Sequence, residues 1–231
     1  MNSACICVAI DTPDSAQARH LVREVADLVG TVKLGMEFFY ANGPAGYEAV
    51  AAAGPPVFLD LKLHDIPNTV AAGLRSLMRL SPAPAIINIH AAGGSDMMKA
   101  AADAIEGRAK LIAVTILTSL SDADLGDIGY DGGSAGRLAL LAQKAGLDGV
   151  VCSPADVAEI RRVTGAKFLT VVPGIRPADS DTQDQKRIAT PEAARRAGAD
   201  ILVIGRPITG ASDPRAATRA IAESLEAAHA G

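Results

Sequence analysis

The sequence predicts an α/β fold of the (β/α)8 barrel class, formed as a single domain over residues 1–231. Three observations support this prediction: short apolar runs alternate with helical segments, the pair recurs eight times, and polar residues follow many of the apolar runs. Apolar strands that alternate with helices indicate a parallel sheet covered by helices, and eight such units suit a closed barrel. An open doubly wound sheet is the alternative, but no GxGxxG motif follows the first strand.

Eight segments have the composition of buried strands, because they are short and rich in apolar and β-branched residues. They span residues 5–10, 31–35, 57–63, 85–90, 111–117, 149–152, 168–172 and 201–204. The segments between them are helical in character, and several open with residues that favour a helix start. These openings are Asp14-Ser15, Asn68-Thr69, Ser95-Asp96, Ser153-Pro154, Thr190-Pro191 and Ser212-Asp213-Pro214.

The composition argues against several classes of function. Of the 231 residues, 49% are hydrophobic, which provides enough apolar material for one large core. The net charge of −4 and the aromatic content of 3%, without tryptophan, argue against a nucleic-acid surface that stacks bases. No apolar run approaches the roughly 18 residues that a membrane-spanning helix requires, and no basic segment opens the chain. We therefore expect a soluble cytoplasmic protein that binds neither nucleic acid nor membrane.

The strongest functional signal is the segment DLKLHDIPNT, residues 60–69, in which charges follow an apolar strand. With a period of two residues, Phe58, Asp60 and Lys62 lie on one face of this strand and the leucines lie on the other. A buried ion pair that merely satisfies itself is the structural alternative, but such a pair often stabilises a fold no better than apolar packing. Carboxylates and an ammonium in one small space therefore predict a functional site.

Polar residues also follow other strands, at the ends where a (β/α)8 barrel places its active site. They are Asp11, Lys33, Asn88, His90, Thr118, Ser119, Arg176 and Arg206. Taken alone, Asp11 could cap a helix and Lys33 could lie on the surface. Beside Asp60 and Lys62, they predict an alternating array of lysine and aspartate. Nearby carboxylates keep an ammonium protonated, which disfavours Lys62 as a Schiff-base nucleophile and suits a proton donor.

The loops after the seventh and eighth strands predict a phosphate site. They read PGIR at residues 173–176 and GRPIT at residues 205–209, and barrels of this type frequently bind phosphate between these two loops. Glycine lets backbone N–H groups approach an anion, while Arg176 and Arg206 each offer a charged donor fork. For each loop alone, an ordinary turn glycine and a surface arginine are the alternative. The polar stretch 177–185 is long for such a loop and is interpreted as a lid.

A metal site is an alternative for part of the main motif. The sequence contains no HxH, HExxH or cysteine–histidine cluster typical of zinc, whereas Asp60 and Asp65 could hold Mg²⁺. Lys62 lies between the two aspartates and competes with a cation for them. No metal is therefore predicted.

The ten residues 60–69 resemble the signature of the orotidine 5'-phosphate decarboxylase family, Asp-x-Lys-x-x-Asp-Ile-Pro-Asn-Thr. Other strand ends are similar to that family, namely VAID at 8–11, VKLG at 32–35, TILTS at 115–119, VPGIR at 172–176 and IGRP at 204–207. The resemblance implies a homodimeric (β/α)8 barrel that converts orotidine 5'-monophosphate to uridine 5'-monophosphate (UMP) and CO2 without a cofactor. This reaction is the last step of de novo pyrimidine synthesis.

The resemblance also implies a role for each site residue. Lys62 would be the proton donor, Asp60 would lie beside the substrate carboxylate, and Asp65 would be contributed to the neighbouring subunit's site. Lys33, together with Asp11, would hold the ribose hydroxyls and complete the catalytic array. The other implied substrate-binding residues are Thr69, with Thr118 and Ser119 at the pyrimidine and Arg176, Gln185, Gly205 and Arg206 at the phosphate.

Two other functions stay open on the sequence. Relatives with the same Asp-x-Lys-x-x-Asp core include Mg²⁺-dependent decarboxylases and aldolases of sugar phosphates, such as keto-gulonate phosphate decarboxylase and hexulose phosphate synthase. The continuation IPNT at residues 66–69 argues against that interpretation, and sensitivity to EDTA would distinguish it. A non-catalytic nucleotide sensor is the other possibility, since a fold alone does not determine function. The presence of Lys62 argues against it.

Overall fold

The computed structural model describes residues 2–177 and 188–230 of the chain. Its eight strands form a closed parallel barrel in chain order, in which the eighth strand pairs with the first. They are β1 (Ile6–Ile10), β2 (Thr31–Gly35), β3 (Val57–Leu63), β4 (Ile86–His90), β5 (Lys110–Val114), β6 (Gly149–Val151), β7 (Leu169–Val172) and β8 (Ile201–Ile204). The predicted (β/α)8 barrel is confirmed. Apart from Pro177, the predicted lid lies outside the described residues, and so does Gln185.

Helices pack around the outside of the barrel. Their bounds are α1 (Ser15–Val25), α2 (Met36–Ala51), α3 (Pro67–Leu77), α4 (Gly94–Ile105), α5 (Asp122–Asp127), α6 (Ser134–Lys144), α7 (Val157–Thr164), α8 (Pro191–Ala197), α9 (Arg206–Thr209) and α10 (Pro214–Ala230). Three predicted starts carry side-chain caps, because Asp14, Thr190 and Asp213 accept hydrogen bonds from backbone N–H groups of α1, α8 and α10. A cap of this kind stabilises its helix by about 1 kcal/mol. Within the described ranges, no helix is long and apolar enough to cross a membrane.

Two apolar layers hold the barrel together. The interior layer consists of Cys7, Ala9, Phe58, Ile86, Ile112, Val114, Val151, Val171 and Val203. The outer layer joins alternate strand residues, such as Val8 and Leu59, to helix residues such as Leu21 and Leu74. The strands are apolar on both faces because both faces are buried, as in other parallel sheets.

Strand β3 carries the charged motif to the mouth of the barrel, which is the end formed by the carboxyl ends of the strands. Phe58 packs in the interior layer, while Leu59 and Leu61 pack in the outer layer, so the predicted alternation is confirmed. The register between β3 and β4 then shifts between Leu59 and Leu63. Within this shift Lys62 has a φ of +52°, in the left-handed region. The backbone is therefore irregular at the lysine that the sequence singles out.

The fifth strand is shorter than predicted, and this is a correction. It ends at Val114, not at residue 117, whereas the other strand bounds agree with the prediction to within one residue. The Thr115 backbone N–H still donates to the Val151 carbonyl at 3.0 Å. The chain then leaves the sheet, because Ile116 packs with Leu125 and Ala135 in a separate small cluster. The apolar run is long because it serves two clusters.

Candidate active site

A cavity of about 450 Å³ opens at the mouth of the barrel. Its apolar side is formed by residues of the interior layer, which are Ala9, Phe58, Val151 and Val203. Its polar side carries Asp11, Lys33, Asp60, Lys62, Thr118, Arg176 and Arg206, with Pro173, Gly174, Gly205 and Thr209 completing the wall. A cavity of this size and lining suits a small molecule that has both an apolar and a charged part.

Four charged side chains from three adjacent strand ends form one continuous array. The Lys33 Nζ lies 3.1 Å from Asp11 Oδ1 and 3.3 Å from Asp60 Oδ2. The Lys62 Nζ lies 2.7 Å from the other carboxylate oxygen, Asp60 Oδ1. Because β1, β2 and β3 are neighbours in the barrel, their ends bring together residues that are far apart in the sequence. The alternating lysine and aspartate array predicted from the strand ends is present.

The central pair of this array stays charged although it is buried. Burial is the largest contribution for Lys33 and lowers its pKa, but Asp60 and Asp11 together raise that pKa above its ordinary value. For Asp60, burial raises the pKa, but Lys33, Lys62 and Asn88 together hold it below its usual range. Each group therefore keeps the charge that the other requires.

Asn88 on β4 joins two parts of the array, a role that the sequence analysis missed. Its Nδ2 donates to Asp60 Oδ1 at 2.6 Å, and its Oδ1 accepts from the Lys62 backbone N–H at 2.8 Å. The sequence contained one signal for this, because period-two alternation puts Asn88 on the same interior face as Ile86. The contact to Lys62 also depends on the shifted register between β3 and β4.

Two arginines and two glycines line the same cavity after β7 and β8. Arg176 is buried, with 7% of its surface exposed, and its Nη1 donates to the Ile175 carbonyl at 3.3 Å. Gly174, two residues earlier, has a φ of +77°, a conformation that favours glycine. Gly205 and Arg206 follow β8 and line the same cavity. The structure thus places the predicted phosphate residues of both loops in one cavity, with Thr118 also on its wall.

Three predicted site residues lie outside this cavity. Asp65 and Thr69 are exposed, and the Asp65 Oδ1 accepts a hydrogen bond from the Ile66 N–H at 2.6 Å. Ser119 is exposed beside Thr118. Their implied contacts with substrate stay predictions, as does that of Gln185.

The two histidines near the array form a stacked pair. The rings of His64 and His90 lie 5.3 Å apart and nearly parallel, at 14°. Burial, followed by the charges of His64 and Lys62, lowers the pKa of His90 below its ordinary value. Its Nδ1 accepts from the Ala92 N–H at 3.2 Å, so the proton of the neutral ring is on Nε2. His90 therefore closes the turn after β4.

The donor set of the main motif does not suit a divalent metal. Both oxygens of Asp60 already face ammonium groups, and Asp65 lies outside the cavity. Among the described residues, no group of three or more histidine, cysteine, aspartate or glutamate side chains is arranged to hold a metal ion. A cation between Asp60 and Asp65 would have to displace Lys62.

Known proteins are similar to this chain in both sequence and fold. Residues 5–221 match the family model described as orotidine 5'-phosphate decarboxylase / HUMPS family. An orotidine 5'-phosphate decarboxylase of Rhodospirillum rubrum is 52% identical, over 95% of this chain and 93% of its own. One of Paramagnetospirillum magneticum is 49% identical, over 95% and 97%. The crystal structure of the enzyme of that name from Lactobacillus acidophilus is 38% identical, with a TM-score of 0.81 over 95% of this chain and 98% of that chain.

Proposed function

The chain belongs to the orotidine 5'-phosphate decarboxylase / HUMPS family, and we propose that the array at its barrel mouth converts orotidine 5'-monophosphate to UMP and CO2. The chain is accordingly a carboxy-lyase of pyrimidine synthesis. The relatives reported above are decarboxylases of this nucleotide, so the sugar-phosphate alternative is not favoured. The observation that carries the proposal is the placement of the Lys62 ammonium against Asp60 in a cavity that also has an apolar side.

The reaction requires a fixed positive charge at the carbon that loses CO2. When the bond from C6 of the pyrimidine to the carboxylate breaks, the electron pair stays on C6, which has no adjacent electron sink. A protein that uses no cofactor must then stabilise the carbanion electrostatically. Lys62 supplies an ammonium at this position and transfers a proton to C6, which completes UMP.

Asp60 favours the departure of CO2 in the same step. Its pKa is held below the usual range by Lys33, Lys62 and Asn88 against the effect of burial, so it is ionised when substrate binds. A substrate carboxylate beside it is repelled, and this repulsion disappears as CO2 leaves. Lys33 keeps Asp60 ionised from its other side and, with Asp11, reaches the ribose hydroxyls.

The loops after β7 and β8 bind the phosphate. Arg176, Gly205 and Arg206 provide charged donors and close backbone approach there, while Thr118 and Ser119 contact the pyrimidine. Gln185 completes the phosphate contacts in this proposal. Because the phosphate is remote from C6, its binding energy can hold the base in an unfavourable charge environment.

A homodimer in the cytoplasm completes the proposal, with Asp65 and Thr69 donated to the partner's cavity. Both residues are exposed outside their own chain's cavity, which leaves them accessible to a second copy. Ile66, next to Asp65, is 66% exposed, and Tyr40 on α2 is 72% exposed. Burial of these apolar side chains against a second copy would favour association, and a two-fold axis would exchange the two aspartates symmetrically.

The test is the ultraviolet absorbance of orotidine 5'-monophosphate mixed with purified protein and EDTA, beside a Lys62→Ala control. We expect rapid conversion by the wild type and a loss of about a thousandfold or more in kcat for Lys62→Ala, since that lysine supplies both charge and proton. Circular dichroism verifies that the variant is folded. If EDTA abolished the activity, a Mg²⁺-dependent enzyme of sugar phosphates would be favoured. Tight UMP binding without turnover would favour a nucleotide sensor.

A further inference from the structure

We infer that Asn88 is a positioning residue for the decarboxylation, because it fixes the Asp60 carboxylate and the Lys62 backbone relative to each other. This inference rests on the proposed function. The side chain is completely buried, with 0% exposure, so it acts on substrate only through the residues it touches. It touches both members of the pair that faces the reacting carbon.

The backbone of Lys62 is the first part that Asn88 holds. A φ of +52° is unfavourable for a residue that carries a side chain, so surrounding contacts must maintain it. In the shifted register of β3 and β4, the Lys62 N–H donates at 2.8 Å to the Asn88 Oδ1, a side-chain acceptor. The direction in which the lysine side chain leaves the strand therefore depends on the asparagine.

The carboxylate of Asp60 is the second part. Its Oδ1 accepts hydrogen bonds from the Asn88 Nδ2 at 2.6 Å and from the Lys62 Nζ at 2.7 Å. Its Oδ2 lies 3.3 Å from the Lys33 Nζ. Three donors in different directions leave the carboxylate little freedom to rotate. The ammonium of Lys62 is thereby directed by contacts at both ends of its own side chain.

The orientation of the Asn88 amide is dictated by these neighbours. If the amide were reversed, its oxygen would face the Asp60 carboxylate and its NH2 group would face the Lys62 N–H. Both contacts would then be repulsive, and Asn88 is completely buried, which makes such contacts costly. One side chain that must donate to one partner and accept from the other is what an asparagine provides.

A change to aspartate separates a positioning role from a merely structural one. In Asn88→Asp, a protonated carboxyl can donate to Asp60 and accept from Lys62, but the ionised form repels Asp60. Asp60 and burial favour the protonated form of the new group, while Lys33 and Lys62 oppose it. We expect the ratio of the variant's kcat to the wild-type kcat to increase as the pH falls from 8 to 5.

The decisive experiment compares Asn88→Ala and Asn88→Asp with Thr115→Val as the matched control. Thr115 is equally buried on the strand end next to β4, and its Oγ1 donates to the Val151 carbonyl at 3.0 Å, away from the array. We expect Asn88→Ala to lower kcat about 100-fold, the size of effect that a small misplacement causes. We expect its affinity for UMP to stay within threefold and Thr115→Val to retain kcat within threefold.

Three outcomes would overturn the inference. They are a loss of less than tenfold in kcat for Asn88→Ala, an equal loss in Thr115→Val, and an Asn88→Asp kcat ratio that does not change with pH. If Asn88→Ala fails to fold, the nearly isosteric Asn88→Asp still provides the pH test. The wild type in the same assay separates the two claims, because an inactive wild type contradicts the proposed function rather than the role of Asn88.

Discussion

Asp60 at the mouth of the barrel and Asp200 at its other end are both paired with basic side chains, yet their surroundings differ. Asp200 precedes β8 and pairs with Arg161 of α7, which also donates to the carbonyls of Phe168 and Gly198 at 2.6 and 2.9 Å. The Arg161 Nη2 also donates to the Thr170 hydroxyl oxygen at 2.9 Å. The Arg161 guanidinium is thus surrounded by backbone carbonyls, and it connects α7, β7, α8 and β8.

Asp60, in contrast, is surrounded by charges that face a cavity. Its partners Lys33 and Lys62 both line that cavity, and the Lys62 side chain keeps 29% of its surface exposed. An ion pair that connects the ends of secondary-structure elements stabilises the fold, whereas one that lines a cavity can act on a ligand. The difference lies in what surrounds the pair rather than in the residue types.

The largest expected effect tests this comparison directly through Asp60→Asn and Asp200→Asn. We expect Asp60→Asn to lower kcat by about a thousandfold, because the substrate carboxylate loses its repelling neighbour and Lys62 loses its partner. We expect Asp200→Asn to retain kcat per folded molecule within about twofold but to lower the free energy of unfolding by about 2 kcal/mol. Steady-state kinetics and urea denaturation measure the two quantities.

Similar behaviour of the two variants would contradict the difference between the two ion pairs. A large loss of kcat in fully folded Asp200→Asn would mean that the far end of the barrel takes part in catalysis. Full activity of Asp60→Asn would remove the carboxylate from the mechanism.

The sequence predicts the mouth of the barrel better than its other end. Asp60 and Lys62 are two residues apart on one strand, so alternation alone places them on one face. Arg161 and Asp200 are 39 residues apart on different elements, and no local pattern connects them. The role of Asn88 depends on a register shift and on the φ of Lys62, which follow from packing between strands and not from residue spacing.

Hybrid dimers test whether the active site at the mouth of the barrel is complete within one chain. Lys62→Ala and Asp65→Ala subunits would each be nearly inactive alone. When they are mixed in equal amounts, unfolded and refolded together, half of the dimers are hybrids, and each hybrid has one intact site. We therefore expect about a quarter of the wild-type activity to return, several hundredfold above either variant.

Tagged subunits that are purified as hybrids provide the control, since they should have about half of the wild-type activity. An Asp65→Ala variant that is fully active alone would contradict the exchange of this residue. Mixtures that stay inactive, although the hybrids are isolated, would show that both residues act in the same chain.

The smallest expected effect concerns an arginine at the mouth that does not touch the reacting carbon. Arg206→Ala removes one charged donor to the phosphate, so we expect the affinity for UMP and kcat/KM both to fall about 100-fold. Arg108→Ala is the control, because that side chain is 45% exposed and pairs only loosely with Glu106, at 3.9 Å. Calorimetry with UMP and steady-state kinetics measure the two effects.

If Arg206→Ala lowered kcat at saturating substrate as much as Lys62→Ala, phosphate binding and chemistry would not be separable. An unchanged affinity for UMP would instead exclude Arg206 from the phosphate site and leave that role to Arg176 among the arginines lining the cavity.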